Sequence, residues 1–136
     1  MDDLFKTLRV SAAGMKAQGT RLRVISENIA NADSLPQSPG AAPYQRQQMI
    51  FRNALDREIG LKTVRASKVT PDTSEFEKRY EPNHSGADAS GYVEVPNVNP
   101  LIEMMDMREA ERSYDANMSV IKSTKRMLQG TIDILK

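Results

Sequence analysis

The sequence predicts a mainly α protein with a small β region. Long N- and C-terminal helices pair as an α-helical coiled coil, and a central loop-rich segment carries short β-strands. Three observations lead there. Positions Leu4, Leu8, Ser11, Met15, Gln18, Leu22, Ile25 and Ile29 follow alternating steps of four and three. Positions Met104, Met107, Glu111, Tyr114, Met118, Ile121, Lys125, Leu128, Ile132 and Leu135 step by three and four near the other end. Both are the heptad spacing of a helix with a narrow apolar seam. The stretch between them is polar and rich in turn residues. The expected organisation is therefore an N-terminal helix within 1–33, a loop and short-strand region at 34–97, and a C-terminal helix within 98–136.

The first helix is expected over residues 3–32. Asp2 and Asp3 stand where the helix dipole favours negative charge. Its interior is rich in Ala, Met, Arg, Lys and Leu, all good helix formers. Gly14 and Gly19 each cost about 1 kcal/mol against Ala in a helix. With Ala12, Ala13 and Ala17 they read either as tolerated defects or as a smooth stretch that lets another helix backbone come close. Asn31 to Ser34 should end the helix, because Asn and Asp accept left-handed backbone.

The segment 34–43 holds three prolines and a glycine, which exclude helix and central strand. Residues 44–51 and 61–69 suit short strands, with a turn or single helical turn at 53–59 between them. Phe76 and Tyr80 flank another extended piece. A turn-rich loop follows at 81–91, and Tyr92-Val-Glu-Val95 forms a last strand ended by Pro96. The second helix has clear start signals. Asn99 is a good N-cap, Pro100 fits the first helical position, and Glu103 and Asp106 lie near the first turn. Each terminal helix would be about 45–55 Å long at 1.5 Å per residue, more typical of coiled-coil partners than of core helices.

Composition narrows the function. Three Phe, four Tyr and no Trp leave little to fill a central core, so assembly should supply missing burial. The net charge is +1 with both signs interspersed, which argues against nucleic-acid binding. There is no cysteine, so disulfides and thiolate metal sites are excluded. No stretch reads as a membrane span, and the spaced apolar residues after Asp2 and Asp3 do not read as a cleavable signal.

Catalytic signals are weak. His84 is the only histidine, and with Glu81 and Asp88 at irregular spacing it reads as a surface loop residue, not a metal ligand. Glu109, Glu111 and Asp115 read as partners of Arg108 and Arg112 on a solvated helix face. No nucleophile elbow, phosphate loop or dinucleotide pattern is present. No catalytic residue, metal, cofactor or small-molecule substrate is expected. Met104, Met105, Met107, Met118 and Met127 suit either core filling or an adaptable contact surface. Asn28 and Asn117 are short amides inside helices and are candidates for inter-helix hydrogen bonds, whereas Asn31 reads more simply as a terminator. The expected assembly interface comprises Leu4, Leu8, Met15, Leu22, Ile25, Asn28, Ile29 and Asn31 on the first helix. On the second it comprises Met107, Tyr114, Asn117, Met118, Ile121, Leu128, Ile132 and Leu135.

Ser11-Ala-Ala-Gly-Met15 followed by Asn28-Ile-Ala-Asn-Ala32 resembles the N-terminal signature of flagellar rod and hook proteins. Asp33-Ser34 stands near the position where that family usually has Thr. Gly91-Tyr-Val-Glu-Val-Pro-Asn-Val-Asn99 and Glu103-Met-Met-Asp-Met-Arg-Glu-Ala-Glu-Arg-Ser-Tyr-Asp-Ala-Asn117 resemble the proximal-rod members. The short length and Tyr80-Glu-Pro-Asn-His84 fit those better than the longer distal-rod and hook proteins. The resemblance spans essentially the whole chain. It implies a structural subunit of the bacterial flagellar basal body, whose paired terminal helices build a tube in the periplasm that transmits torque. The implied partners are copies of itself, other proximal and distal rod subunits, the rod-to-MS-ring adaptor and the flagellar type III export apparatus. Two other readings stay open on the residues alone: a cytoplasmic coiled-coil adaptor, and a small hydrolase acting on the cell wall.

Overall fold

The computed structural model describes residues 2–134. Two long helices, α1 (Asp2–Ala30) and α2 (Pro100–Ile134), bracket β1 (Gln47–Asp56), β2 (Leu61–Pro71), β3 (Glu77–Tyr80) and β4 (Tyr92–Val95). The chain is mainly α with a small β region, as expected. The strands form two separate two-stranded sheets, β1 with β2 and β3 with β4. No helix among the described residues is long and apolar enough to cross a membrane. The chain divides into two compact units that cut across the element order. Unit 1 is Met1–Leu22, Met49–Lys68 and Arg108–Lys136, and unit 2 is Arg23–Gln48 and Val69–Met107.

In unit 1 the helical segments run antiparallel. Asn117 of α2 lies against Gly14 of α1, where a Cβ would sit 3.0 Å from its side-chain atoms. Arg21 pairs with Glu109 at 3.6 Å. Seven residues forward on α1 is thus eight back on α2, close to one heptad on each. The smooth stretch expected on α1 is realised at Gly14 and Ala17, whereas Gly19 faces open space. The buried α2 residues of this unit are Ala110 and Thr124, and α1 contributes Ser11 and Ala17. Small side chains make the closest approach, because two helix backbones can near each other only where little projects between them. The innermost α2 row is therefore Ala110, Asn117 and Thr124, one position before Glu111, Met118 and Lys125 of the expected seam. Glu111 and Lys125 face solvent. The expected seam on α1 is buried or half-buried throughout, and on α2 Met107, Tyr114, Met118, Ile121 and Leu128 are half-buried. The heptad step misses the innermost row by one position at Glu111 and Lys125, where Ala110 and Thr124 are the buried residues.

Residues 49–68 of the β1–β2 hairpin belong to the same unit. The turn closes with the Gly60 amide donating to the Asp56 carbonyl at 2.9 Å, and Gly60 takes φ of +68°, which glycine adopts without strain. A connection this short requires the strands to be antiparallel. β1 runs on through residues 53–56, where a turn or helical turn was expected. Cross-strand pairing outweighs the poor strand propensity of Asn53 and Asp56; the Thr63 hydroxyl reaches the Ala54 carbonyl at 3.3 Å. Arg9 of α1 clasps the hairpin end through Glu58 and through Asp56 at 3.5 Å.

Unit 2 is built on loops. β3 and β4 pair antiparallel, with Glu77 opposite Val95 and Tyr80 opposite Tyr92. Val93 is fully buried. Pro36, Pro43 and Pro96 are buried as well, so the proline-rich segment is a packed part of the unit. Gly86 explains how: a Cβ there would stand 2.1 Å from the Pro36 carbonyl oxygen. Only glycine lets the 81–91 loop dock so closely. His84 is half-buried, not a free surface residue, and its Nδ1 accepts the Gly86 amide at 3.0 Å.

α2 starts as its sequence signals. The Asn99 side-chain oxygen accepts the Leu101 amide at 3.1 Å, and the Asn99 carbonyl accepts the Glu103 amide at 3.0 Å. α1 ends with the Asn31 side chain donating to the Glu27 carbonyl at 2.8 Å, a terminator as expected.

Candidate assembly surface and buried polar centre

Unit 2 contains a polar centre assembled from α1, β1, α2 and the turn after β2. Its anchor is Glu103, a carboxylate only 1% exposed. One carboxylate oxygen accepts Arg46 Nε at 2.5 Å, and the other accepts Asn28 Nδ2 at 3.1 Å. Asn28 is equally buried and uses its whole amide. Its oxygen accepts the Gln47 backbone N–H and the Tyr44 hydroxyl, both at 2.9 Å. Its nitrogen donates to the Gln47 carbonyl at 2.8 Å as well as to Glu103. Asn28 thus meets the start of β1 as a neighbouring strand would, donating and accepting at the same residue.

Arg46 ties in the rest. Its guanidinium also faces Asp72 at 3.4 Å and Asp106 at 3.8 Å. Its backbone N–H donates to Asn97 Oδ1, and its carbonyl accepts the Asp72 amide, both at 2.7 Å. Asn97 Nδ2 holds the Asp72 carbonyl at 3.1 Å and the Ser74 hydroxyl at 2.9 Å. Burial disfavours the Arg46 charge, but the bonds to Glu103 and Asp72 outweigh it, so the guanidinium is held more firmly protonated than usual. Burial, with Glu27 and Glu103 nearby, pushes the Tyr44 hydroxyl up, so it stays a donor to Asn28.

The Asp72 carboxyl is held below its ordinary range, first by the Ser74 backbone N–H and then by Gln48, the Ser74 hydroxyl and Arg46. A depressed carboxyl contributes stability that is complete above its unfolded value and is lost as pH falls through the folded one. Stability should therefore drop as the solution is acidified below about pH 4. Asp72→Asn should flatten that acid limb, and thermal melts across the range check it. An unchanged limb would exclude Asp72 as its source.

The outer side of the same turn of α2 is inverted in polarity. Leu101 and Met105, one turn apart and opposite Glu103, are 67% and 65% exposed, and Ile102 and Met104 are half-exposed beside them. Four large apolar residues face solvent while the carboxylate among them is buried. Contiguous exposed apolar surface of this kind marks an interaction site. Among the described residues the buried apolar side chains other than proline are Ala17, Val24, Ile25, Val93 and Ala110, so few large apolar groups are fully covered within the chain.

The residues expected to carry assembly divide unevenly. Ile25 and Asn28 are buried within the chain, and Ile132 is exposed. Leu4, Leu8, Met15, Leu22, Ile29, Asn31, Met107, Tyr114, Asn117, Met118, Ile121 and Leu128 are half-buried. Leu135 lies outside the described residues. Asn28 makes the inter-helix bond foreseen for it. Asn117 does not: its amide donates to the Ser113 carbonyl of its own helix at 2.9 Å, and it serves by packing on Gly14. Glu109 pairs with Arg21 of α1, not with the arginines of its own helix. Sequence reasoning missed Glu103, Arg46 and the outward cluster at residues 101–105. The available signal was a single acid inside an otherwise apolar run.

Comparison with known proteins agrees at both ends and along the whole length. The family model described as "Flagella basal body rod protein" matches residues 8–34, and that described as "Flagellar basal body rod FlgEFG protein C-terminal" matches residues 89–134. The flagellar basal-body rod protein FlgC of Agrobacterium fabrum is 47% identical over 136 residues, covering 100% of this chain and 98% of that protein. FlgC of Bacillus subtilis is 37% identical, covering 97% of this chain and 98% of its own length. FlgC of Salmonella typhimurium is 35% identical, with 96% and 97% covered.

Proposed function

Because the chain belongs to the FlgC family of flagellar basal-body rod proteins, and is a structural subunit of that rod, we propose that it assembles helically into the proximal rod. There it forms part of the drive shaft that carries torque across the periplasm. The observation that carries this reading is the outward-turned apolar surface on a chain of rod-protein sequence. A subunit whose burial is completed by neighbours must expose, when alone, what it will later cover.

In this reading residues 1–33 and 98–136 supply the helical core of the assembly, and the half-buried residues of α1 and α2 finish their burial against adjacent subunits. The partners are copies of the chain, other proximal and distal rod subunits, the rod-to-MS-ring adaptor, and the flagellar type III export apparatus. The chain carries out no chemical step. Family membership does not favour the cytoplasmic adaptor reading.

A tagged chain should be recovered in purified basal bodies, and a strain lacking it should not swim. Basal bodies free of the chain, from cells that make it and swim, would overturn the assignment.

A further inference from the structure

The seven methionines among the described residues fall into two classes. Met15, Met49, Met107 and Met118 are half-buried, whereas Met104, Met105 and Met127 are exposed. All three exposed ones lie on α2. The chain has no cysteine, so these thioethers are the sulfur that a dissolved oxidant meets first. Met104 and Met105 are the pair placed with most consequence. They follow Leu101 by about one helical turn and, with Ile102, complete the outward apolar face of α2 in unit 2. Leucine would fill a similar volume and suit the helix equally well. Methionine adds flexibility and an oxidisable sulfur.

We propose that Met104 and Met105 form a modification site, at which a peroxide converts the exposed thioethers to sulfoxides and thereby bars the free subunit from the rod. This deepens the rod-subunit reading and rests on it. In the step a sulfur lone pair attacks one peroxide oxygen. An S–O bond forms, the O–O bond breaks, and the departing hydroxide takes the proton of the transferred oxygen and leaves as water. Sulfur loses two electrons and the peroxide gains them. Methionine sulfoxide reductases run the exchange backwards, with two thiols becoming a disulfide and the oxygen leaving as water.

The product side chain is polar and chiral where the original was apolar. Its oxygen accepts hydrogen bonds, and Leu101 and Ile102 beside it have no side-chain donor to offer. Carrying that oxygen into a closing apolar contact costs free energy where the thioether gained it. A subunit already in place has both sulfurs covered and does not react. The reaction therefore acts on subunits still waiting to assemble. Met107 stands in the same turn but is half-buried, so its slower oxidation would disturb the fold and not the outer face.

The test begins with limited hydrogen peroxide treatment of the full-length chain, read by peptide mass spectrometry. Met104 and Met105 should gain oxygen several-fold faster than Met107 and Met118, with the circular dichroism spectrum unchanged at that dose. In purified basal bodies the same treatment should leave Met104 and Met105 largely unmodified. Cells that make the chain only on induction are then induced under sublethal peroxide. The parent should reach basal bodies about tenfold less than without peroxide. Met104→Leu/Met105→Leu keeps the apolar face and should hold its level, whereas Met127→Leu should be as sensitive as the parent. Two results would overturn the proposal: equal reactivity of Met105 and Met107 in the free chain, or a double variant as peroxide-sensitive as the parent. If the chain is recovered in basal bodies but Met104 and Met105 oxidise there as fast as in the free chain, the rod reading stands and this site falls. Absence from the basal bodies of untreated cells would sink the rod reading, and this proposal with it.

Discussion

Replacing Arg46 by methionine is expected to cost about 3–5 kcal/mol, because it leaves the buried Glu103 carboxylate without its cation. Against the 5–15 kcal/mol that typically holds a folded domain, a chain with so few fully buried apolar residues should lose most of its folded population. Urea unfolding followed by circular dichroism reads the loss directly. The informative comparison is Arg46→Met/Glu103→Met. Removing both charges replaces an ion pair by apolar groups of similar volume, which is often neutral or better. The double variant should therefore be more stable than Arg46→Met alone. Recovery should be incomplete, since Asp72 and Asp106 also face Arg46 and Asn28 loses Glu103. A double variant as unstable as the single one would show that the Arg46–Glu103 pairing is not what the centre depends on.

The second large effect is expected at the surface, with the opposite signature. Leu101→Lys/Met105→Lys adds charge at two exposed positions, so monomer stability should change by no more than about 0.5 kcal/mol at each. Assembly should fail. If both side chains are covered in the rod, each contributes about 1.5–3 kcal/mol of burial, and their joint loss weakens association on the order of 10²–10⁴-fold. Cells carrying the variant should export the chain, lack it in their basal bodies and not swim. Wild-type swimming would mean that this face remains open to solvent in the assembly. Ile25→Asp makes a useful contrast. Ile25 is only 5% exposed within the chain, so its failure would report folding before assembly.

Much of the architecture was legible because its causes are local. The Asn99 cap followed by Pro100 marked the start of α2, and β4 lay between a glycine and a proline. The Asn31 terminator was readable for the same reason. The close approach at Gly14 and Ala17 was legible as a run of small residues, but the innermost row of α2 at Ala110 and Thr124 was not, because a small side chain among charged neighbours carries no apolar signal. The extent of β1 was missed because pairing with β2 decides it. At the polar centre, Asn28 could be singled out as an amide inside a helix. Glu103 was taken for a residue serving the helix dipole. Its real partner, Arg46, lies 57 positions earlier, and no short-range pattern links the two.

The Asn28 side chain has a consequence for how freely this sequence can vary. Gln47 must be both given a hydrogen and offered a lone pair, from one short side chain, at one turn of α1. Aspartate offers no donor, serine has too few atoms to present two groups side by side, and glutamine carries the amide one carbon too far out. Neighbouring helix positions can exchange one apolar residue for another of similar volume with modest loss. At this position the alphabet of workable residues shrinks to a single letter. The junction where helix, strand and loop converge is therefore the least editable point of this unit, although it contains no residue that reacts with anything.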